Sequence, residues 1–427
     1  MLRAFVDAFK IPDLRKKILF TLGIIAIYRV GAHIPIPNVN VDQLGDAGNL
    51  GGHVGGTNVL AFIDLFAGGA LQNAAIFALG IMPYITSSII MQLLVVVIPK
   101  LEQWKKQGEV GTKKITQYTR YMTVTLAILQ STGLIFLFNN QAPGVVREFT
   151  PSRVAFMVIV LTAGTALIMW LGEVITQRGI GNGMSIIIFT SVVAGLPSQG
   201  TALQRQVGSA TFGALLFVGL LIIAAVVFME QGQRRIPVQY AKRVVGRRMT
   251  SGGSTYIPLK VNQSGVIPII FASSVLFFPT LLGTTVQWRP LQSFINRFLV
   301  DPGSLGYILI FGLLVVFFAY FYTAITFNPV DTADNIRKYG GFIPGIRPGR
   351  PTADYLSRVL NRITLPGSLF LAVIALIPSV LFALLLVNPN VFPFGGATIL
   401  ITVGVALETS KQLESQLTMR HYEGFLR

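Results

Sequence analysis

Three histidines, seventeen carboxylates and no cysteine are the side chains here best suited to hold a metal or move a proton near neutral pH. Their spacing suits neither task. His33, His53 and His421 lie far apart with no metal-ligand spacing, and a chain without cysteine has no thiolate and no disulfide. No G-x-x-x-x-G-K-[ST] phosphate loop occurs. The run Gly179-Ile180-Gly181-Asn182-Gly183 resembles a nucleotide-binding glycine loop, but it joins two apolar stretches and follows no strand, so it predicts a tight turn. No catalytic residue, metal or cofactor is expected, and the chain is not read as an enzyme. The informative polar residues are those set among apolar ones. Arg29 lies near the end of an apolar stretch, from which it can snorkel to the interface. Glu173 and Glu230 sit at stretch ends. Gln92 and Asn262 are uncharged and at depth, where an interhelical hydrogen bond would be worth about 0.6–2 kcal/mol. A bond that weak can hold two helices together and still yield to a competing ligand.

The elements that carry these residues follow from composition. The chain has 427 residues, 52% hydrophobic and 12% charged, where soluble domains are about a quarter charged. Ten apolar stretches stand out, roughly 17–34, 74–98, 118–138, 154–172, 184–197, 211–229, 264–286, 305–327, 366–387 and 391–408. Several approach the ~20 residues that span a bilayer core as helix. They are too long and too uniform for barrel strands. The prediction is an all-α polytopic membrane protein of ten spans.

Charge orients it. Residues 1–17, the connections after stretches 2, 4, 6 and 8, and the C-terminus carry 27 of the 34 Lys and Arg. Cytoplasmic loops retain Lys and Arg, so both termini are expected inside. Residues 1–17 are read as a basic amphipathic surface helix without a removable signal peptide. A net charge of +17 suits anionic lipid headgroups or an acidic partner.

The spans fall into two fives that echo each other. Gly80-Ile81-Met82-Pro83 and Gly265-Val266-Ile267-Pro268 are both G-x-x-P in the second span of a half, and the fifth span of each half is the shortest. Interrupted spans at matching positions point to a working site at a repeat interface. An odd number of spans per half requires the copy to be inverted. We place the halves at 1–200 and 201–427. Residues 45–56 read as flexible linker. Residues 58–71 (NVLAFIDLFAGGAL) are apolar but too short to span, and predict a re-entrant or interfacial piece. Loops 230–263 and 328–365 are long, Arg-rich and punctuated by Pro344-Gly345 and Pro348-Gly349. They read as docking platforms for phosphate or an acidic surface.

Several ordered motifs carry a family resemblance: FALGIMPYI (77–85), QYTRY (117–121), RGIGNG (178–183), GQRRIPVQYAKR (232–243), GRR (246–248), GVIPIIFASS (265–274), FNPVDTADN (327–335), GGFIPGIRPG (340–349) and ESQLTMRHYEGFL (414–426). The chain resembles the SecY/Sec61-alpha family of protein-conducting channels along its whole length. The resemblance implies a clamshell of two inverted five-helix halves around a central pore lined by spans 2, 5, 7 and 10. It implies an apolar pore ring of Ile81, Ile85, Met184, Ile188, Ile270 and Ile401, with Met184 in place of the usual isoleucine. It assigns 58–71, with Asn58, Phe62, Asp64, Phe66, Gly68 and Gly69, to a plug. A lateral gate between spans 2 and 7 would be held by Thr86, Gln92 and Asn262. Arg243, Arg247, Arg248, Arg347 and Arg350 would dock the SecA ATPase or the ribosome. Implied partners are SecE and SecG, secretory preproteins with their signal sequences, and anionic lipids; the implied location is a bacterial plasma membrane. The competing reading of the same inverted repeat is a secondary transporter of a small solute. It calls for mid-span charge, which this chain lacks.

Overall fold

The computed structural model describes residues 9–40, 64, 66–141, 146, 149–240, 243–245, 248–250, 254–285, 290, 298–299, 304–385 and 396–425. Each of the ten apolar stretches carries a helix. In chain order these are α1 (Pro12–Gly31), α2 (Met82–Val97), α4 (Glu109–Gln141), α5 (Pro151–Arg178), α6 (Gly183–Val207), α7 (Ser209–Gln231), α8 (Ile267–Thr285), α9 (Leu305–Thr326), α11 (Arg350–Leu385) and α12 (Gly396–Phe425). Two shorter polar helices, α3 (Pro99–Lys106) and α10 (Pro329–Lys338), complete the set. Helix α9 shows the environment. Its buried side holds Phe311, Val315, Phe318 and Ala319, while Leu305, Leu309, Leu313 and Phe317 form an exposed row at i+4 spacing. Such a stripe is costly in water and natural against lipid tails.

Among the described residues, four helices are long and apolar enough to cross a membrane, or up to five if α2 and α3, bent by 99° at Ile98, count together. The helices below that threshold include the shorter apolar segments Gly183–Pro197 and Ile267–Leu276. These are spans 5 and 7, two of the four assigned to the pore.

Stretch 74–98 is only partly helical, which corrects the expected span. Residues 68–81 fold as turns, and α2 begins at Met82. Pro83 explains the boundary: it suits the first helical turn, where its missing N–H costs nothing. Gly80 just before it takes φ +55°, and Gly265 before Pro268 takes φ +61°. The two G-x-x-P motifs thus build the same device, a left-handed glycine followed by a proline-started helix. The glycine run at 179–183 is the tight turn expected of it. Gly181 has φ +76°, and Asn182 caps α6 by accepting from the Met184 and Ser185 N–H groups.

The two basic loops are more ordered than their sequence suggests. Strand β1 (Gln233–Tyr240) pairs antiparallel with β4 (Ser254–Lys260) and with β5 (Gly341–Phe342), and β2 (Arg243–Val245) pairs with β3 (Arg248–Thr250). Alternation on β1 turns Ile236 and Val238 inward. They meet Leu259, Ile336, Ile343 and Leu356 in a small core shared by both loops. The Pro-Gly turns behave as written, with Gly345 at φ +82° and Gly349 at φ +103°.

Inside the helical body the packing gathers into two main apolar clusters. One draws on α1, residues 66–82, α2, α5 and α6; the other on α7, α8, α9, α11 and α12. Ile401 of α12 belongs to the first cluster, and Ile89 and Val266 pack against both. Small residues permit close approach: a Cβ on Gly164 of α5 would strike the Ile76 carbonyl, whereas one on Gly23 of α1 meets nothing within 4 Å. Gly164→Ala should therefore cost about 1–3 kcal/mol through overpacking, and Gly23→Ala should be neutral or slightly stabilising. Thermal unfolding of the two variants in detergent, followed by size exclusion, checks the contrast.

Candidate functional site

Helices α2, α4, α5, α6 and α8 enclose a vestibule of about 760 Å³ at the end of the molecule that bears the sheet. Its walls mix apolar side chains with polar ones, among them Ser88, Gln92, Thr116, Gln117, Thr176 and Gln177. Ile85, Met184, Ile188 and Ile270 also line it, and all four pack in the first apolar cluster. Ile81 and Ile401, 1% and 2% exposed, join the same cluster. Six residues contributed by four separate segments of the chain therefore share one apolar cluster. The helix starts aim them there. Pro83 and Pro268 fix where α2 and α8 begin, and the Asn182 cap fixes α6. Met184 takes a neighbouring place, its sulfur lying where a side chain on Gly172 would reach. A thioether adapts to such an irregular gap.

The end of the expected plug packs in the same cluster. Asn58 and Phe62 fall outside the described residues. Phe66 and Ala67 are fully buried in the first cluster. Asp64 is buried too, and its carboxylate accepts from the Leu71 N–H at 3.1 Å and from Gln72 Nε2 at 2.7 Å. Burial pushes its pKa up to about 6, against the pull of those hydrogen bonds. Gly68 (φ +64°) and Gly69 (φ +85°) turn the chain, and Gly68 lies so close to Ser191 of α6 that a Cβ would crowd its backbone.

Two side chains that the sequence did not single out for this purpose hold this segment. Arg29 Nη1 donates to the Gly68 carbonyl at 2.8 Å. The Tyr28 hydroxyl donates to the Ala67 carbonyl at 3.3 Å and lies 2.6 Å from Ser191 Oγ. Tyr28 also stacks on Phe77, with centroids 5.7 Å apart. Arg29 was expected to snorkel to the interface. It instead reaches a backbone carbonyl of the docked segment, because a lone cation in an apolar region gains most from a fixed acceptor nearby. Its isolation in the sequence was the available signal.

The expected gate residues do not pair with one another. Gln92 donates to Ser88 of its own helix at 3.3 Å, and Thr86 donates to the Met82 carbonyl at 3.0 Å. Asn262 Nδ2 donates to Glu230 Oε1 at 2.5 Å and to the Gly265 carbonyl at 3.1 Å. The carboxylate at the end of α7 is the stronger acceptor and outcompetes an amide across the seam. Ile89 of α2 and Val266 just before α8 each pack against both apolar clusters.

A second polar contact lies within the vestibule. Arg120 of α4 grips Glu173 of α5 in a two-point pair, Nε to Oε1 at 2.8 Å and Nη2 to Oε2 at 2.6 Å, and Arg120 Nη1 donates to Gln117 Oε1 at 3.1 Å. The partners are 53 residues apart, so no local pattern announced them. Of the expected docking arginines, Arg347 and Arg350 are exposed beside the Pro-Gly turns. Arg243 and Arg248 lie on the β2–β3 hairpin, and Arg247 is outside the described residues.

Comparison with known proteins agrees with this architecture. The SecY family model matches residues 75–410. Protein translocase subunit SecY of Streptomyces lividans is 56% identical over 446 aligned residues covering both chains fully. A solved structure described as a protein conducting channel superposes with a TM-score of 0.63 at 17% identity, covering 93% of this chain and 91% of that one. Sec61 from a canine ribosome-channel complex superposes at 0.59 and 16% identity, with the same coverage. The fold is accordingly the ten-helix clamshell, and this chain belongs to the SecY family.

Proposed function

We propose that this chain is the protein-conducting subunit of a Sec translocase, passing unfolded secretory proteins across a membrane and releasing membrane segments sideways into lipid. The observation that carries this reading is a vestibule with polar side chains in its wall that adjoins one apolar cluster holding all six expected ring residues together with Phe66. An extended polypeptide pays several kcal/mol for each unsatisfied backbone group in hydrocarbon. A polar vestibule supplies partners for those groups on the way in. A narrow band of flexible apolar side chains then closes around any sequence without binding it tightly. With no client present, the band and the segment around Phe66 block ions.

The ring is Ile81, Ile85, Met184, Ile188, Ile270 and Ile401. The plug is 58–71, latched through Tyr28 and Arg29. The lateral gate is the seam of α2 and α8, closed by Ile89 and Val266 and flanked by Thr86, Gln92 and Asn262. Apolar contact suits a gate that must open to a signal sequence or an apolar span, because lipid replaces what the seam loses. The halves 1–200 and 201–427 move apart about it. The basic sheet region, with Arg243, Arg247, Arg248, Arg347 and Arg350, faces SecA and the ribosome. SecE and SecG are the membrane partners, and anionic lipids surround the basic edge. The Lys and Arg bias supports a plasma (inner) membrane location in a bacterium with both termini cytoplasmic. Energy for movement comes from a partner or the membrane potential, since partitioning itself needs no catalytic residue.

Three outcomes are expected. A photoactivatable side chain at Ile85 should crosslink a preprotein stalled midway across vesicles, while one at lipid-facing Leu313 should not; translocation without an adduct at Ile85 would move the path elsewhere. Arg29→Gln should raise resting ion conductance in planar bilayers about tenfold or more, the scale of losing a charge-assisted bond, and Arg29→Lys should recover part of the seal. The docked Asp64 has a raised pKa, so its contribution to docking is full below about pH 4 and declines as pH rises through about 6. Resting leak should therefore grow between about pH 4 and 6 and level off above that, and Asp64→Asn should flatten that dependence.

A further inference from the structure

The vestibule carries four charged side chains among the described residues, and they cancel. Arg120 is paired with Glu173, and Lys113 with Glu109 at 2.9 Å. The surrounding protein is not balanced at all, at net +17. Three basic side chains, Lys100, Lys105 and Lys114, lie close to the vestibule mouth in the sequence but are not among its lining residues. The Lys113–Glu109 pair is a solvated i,i+4 contact with both side chains largely exposed, so it is screened and weak. The Arg120–Glu173 pair differs. Its side chains are 37% and 17% exposed, it spans two helices, and both guanidinium edges are committed, one to each carboxylate oxygen and one to Gln117.

From this geometry we infer that the Arg120–Glu173 pair sets the charge neutrality of the vestibule, and so lets client segments of either sign pass at similar speed. The inference rests on the pore reading above. An unpaired Glu173 would sit in a narrow, partly desolvated space and hold passing Lys and Arg. An unpaired Arg120 would hold passing Asp and Glu. Paired tightly, each satisfies the other and neither attracts a moving charge strongly. The two-point geometry matters because a monodentate pair would exchange partners with a client more readily. Arg120 and Glu173 are thus residues that determine specificity by suppressing it.

The test uses the full translocase with its partners in vesicles, and two preproteins differing only in a mid-chain segment of Lys or of Glu. Arg120→Gln should slow the Lys-bearing client about threefold relative to the Glu-bearing one, the size of a screened charge interaction. Glu173→Gln should reverse the preference. The exchanged pair, Arg120→Glu with Glu173→Arg, should restore equal transit. Equal slowing of both clients by both single variants would make the pair a helix staple and overturn the inference, as would no slowing of either. Crosslinking from Ile85 in the same preparations separates the two levels. Charge-blind transit in both single variants with the Ile85 adduct intact sinks only this inference, whereas absence of the adduct in unmodified protein sinks the pore itself.

Discussion

Backbone amides and carbonyls cannot stay unpaired in hydrocarbon, and this constraint shapes every level of the molecule. It makes the ten apolar stretches helical. It also governs the departures from helix. Residues 68–81 run as turns, and they are tolerated at membrane depth because protein surrounds them. The Ile36 N–H donates to the Ala74 carbonyl, the Ile76 N–H to the Ile34 carbonyl, and the Ala75 N–H to the Ala70 carbonyl. The client of such a channel faces the same constraint, and the polar side chains in the vestibule wall can answer it.

The shorter helices follow from that division of labour. Helices that only hold the bundle in lipid, such as α7 and α9, can be apolar all along. Helices around a central path must start and stop at set depths. Prolines in the first turns of α2 and α8, left-handed glycines before them, and the Asn182 cap of α6 bring Ile85, Ile270 and Met184 into one apolar cluster. An apolar band is a workable seal because dispersion contacts are many, individually weak and indifferent to sequence.

Charge is used sparingly inside and generously outside. Within the helical body, Arg29 secures a backbone carbonyl and Arg120 is fully engaged by Glu173 and Gln117. At the sheet-bearing end, arginines stand on short strands and Pro-Gly turns braced by a small apolar core. Two loops distant in sequence share that core, so the basic surface is held as a unit.

Much of this was legible in the residues alone. Hydropathy set the helix count, since burial in lipid needs long apolar runs. Gly and Pro at 80, 83, 265 and 268 announced the broken spans, because their backbone limits act locally and need no tertiary partner. The proposed ring positions come only from family likeness, as one isoleucine in an apolar helix looks like any other. Tertiary structure alone decided the polar partners. Gln92 and Asn262 looked like a pair across a seam, yet Asn262 found the stronger acceptor in Glu230. Arg29 looked bound for the interface, yet the Gly68 carbonyl was within reach. Hydrogen bonds are short-ranged and exclusive, so a sequence can say which groups need a partner. Only the packed chain decides which partner arrives first within 3 Å.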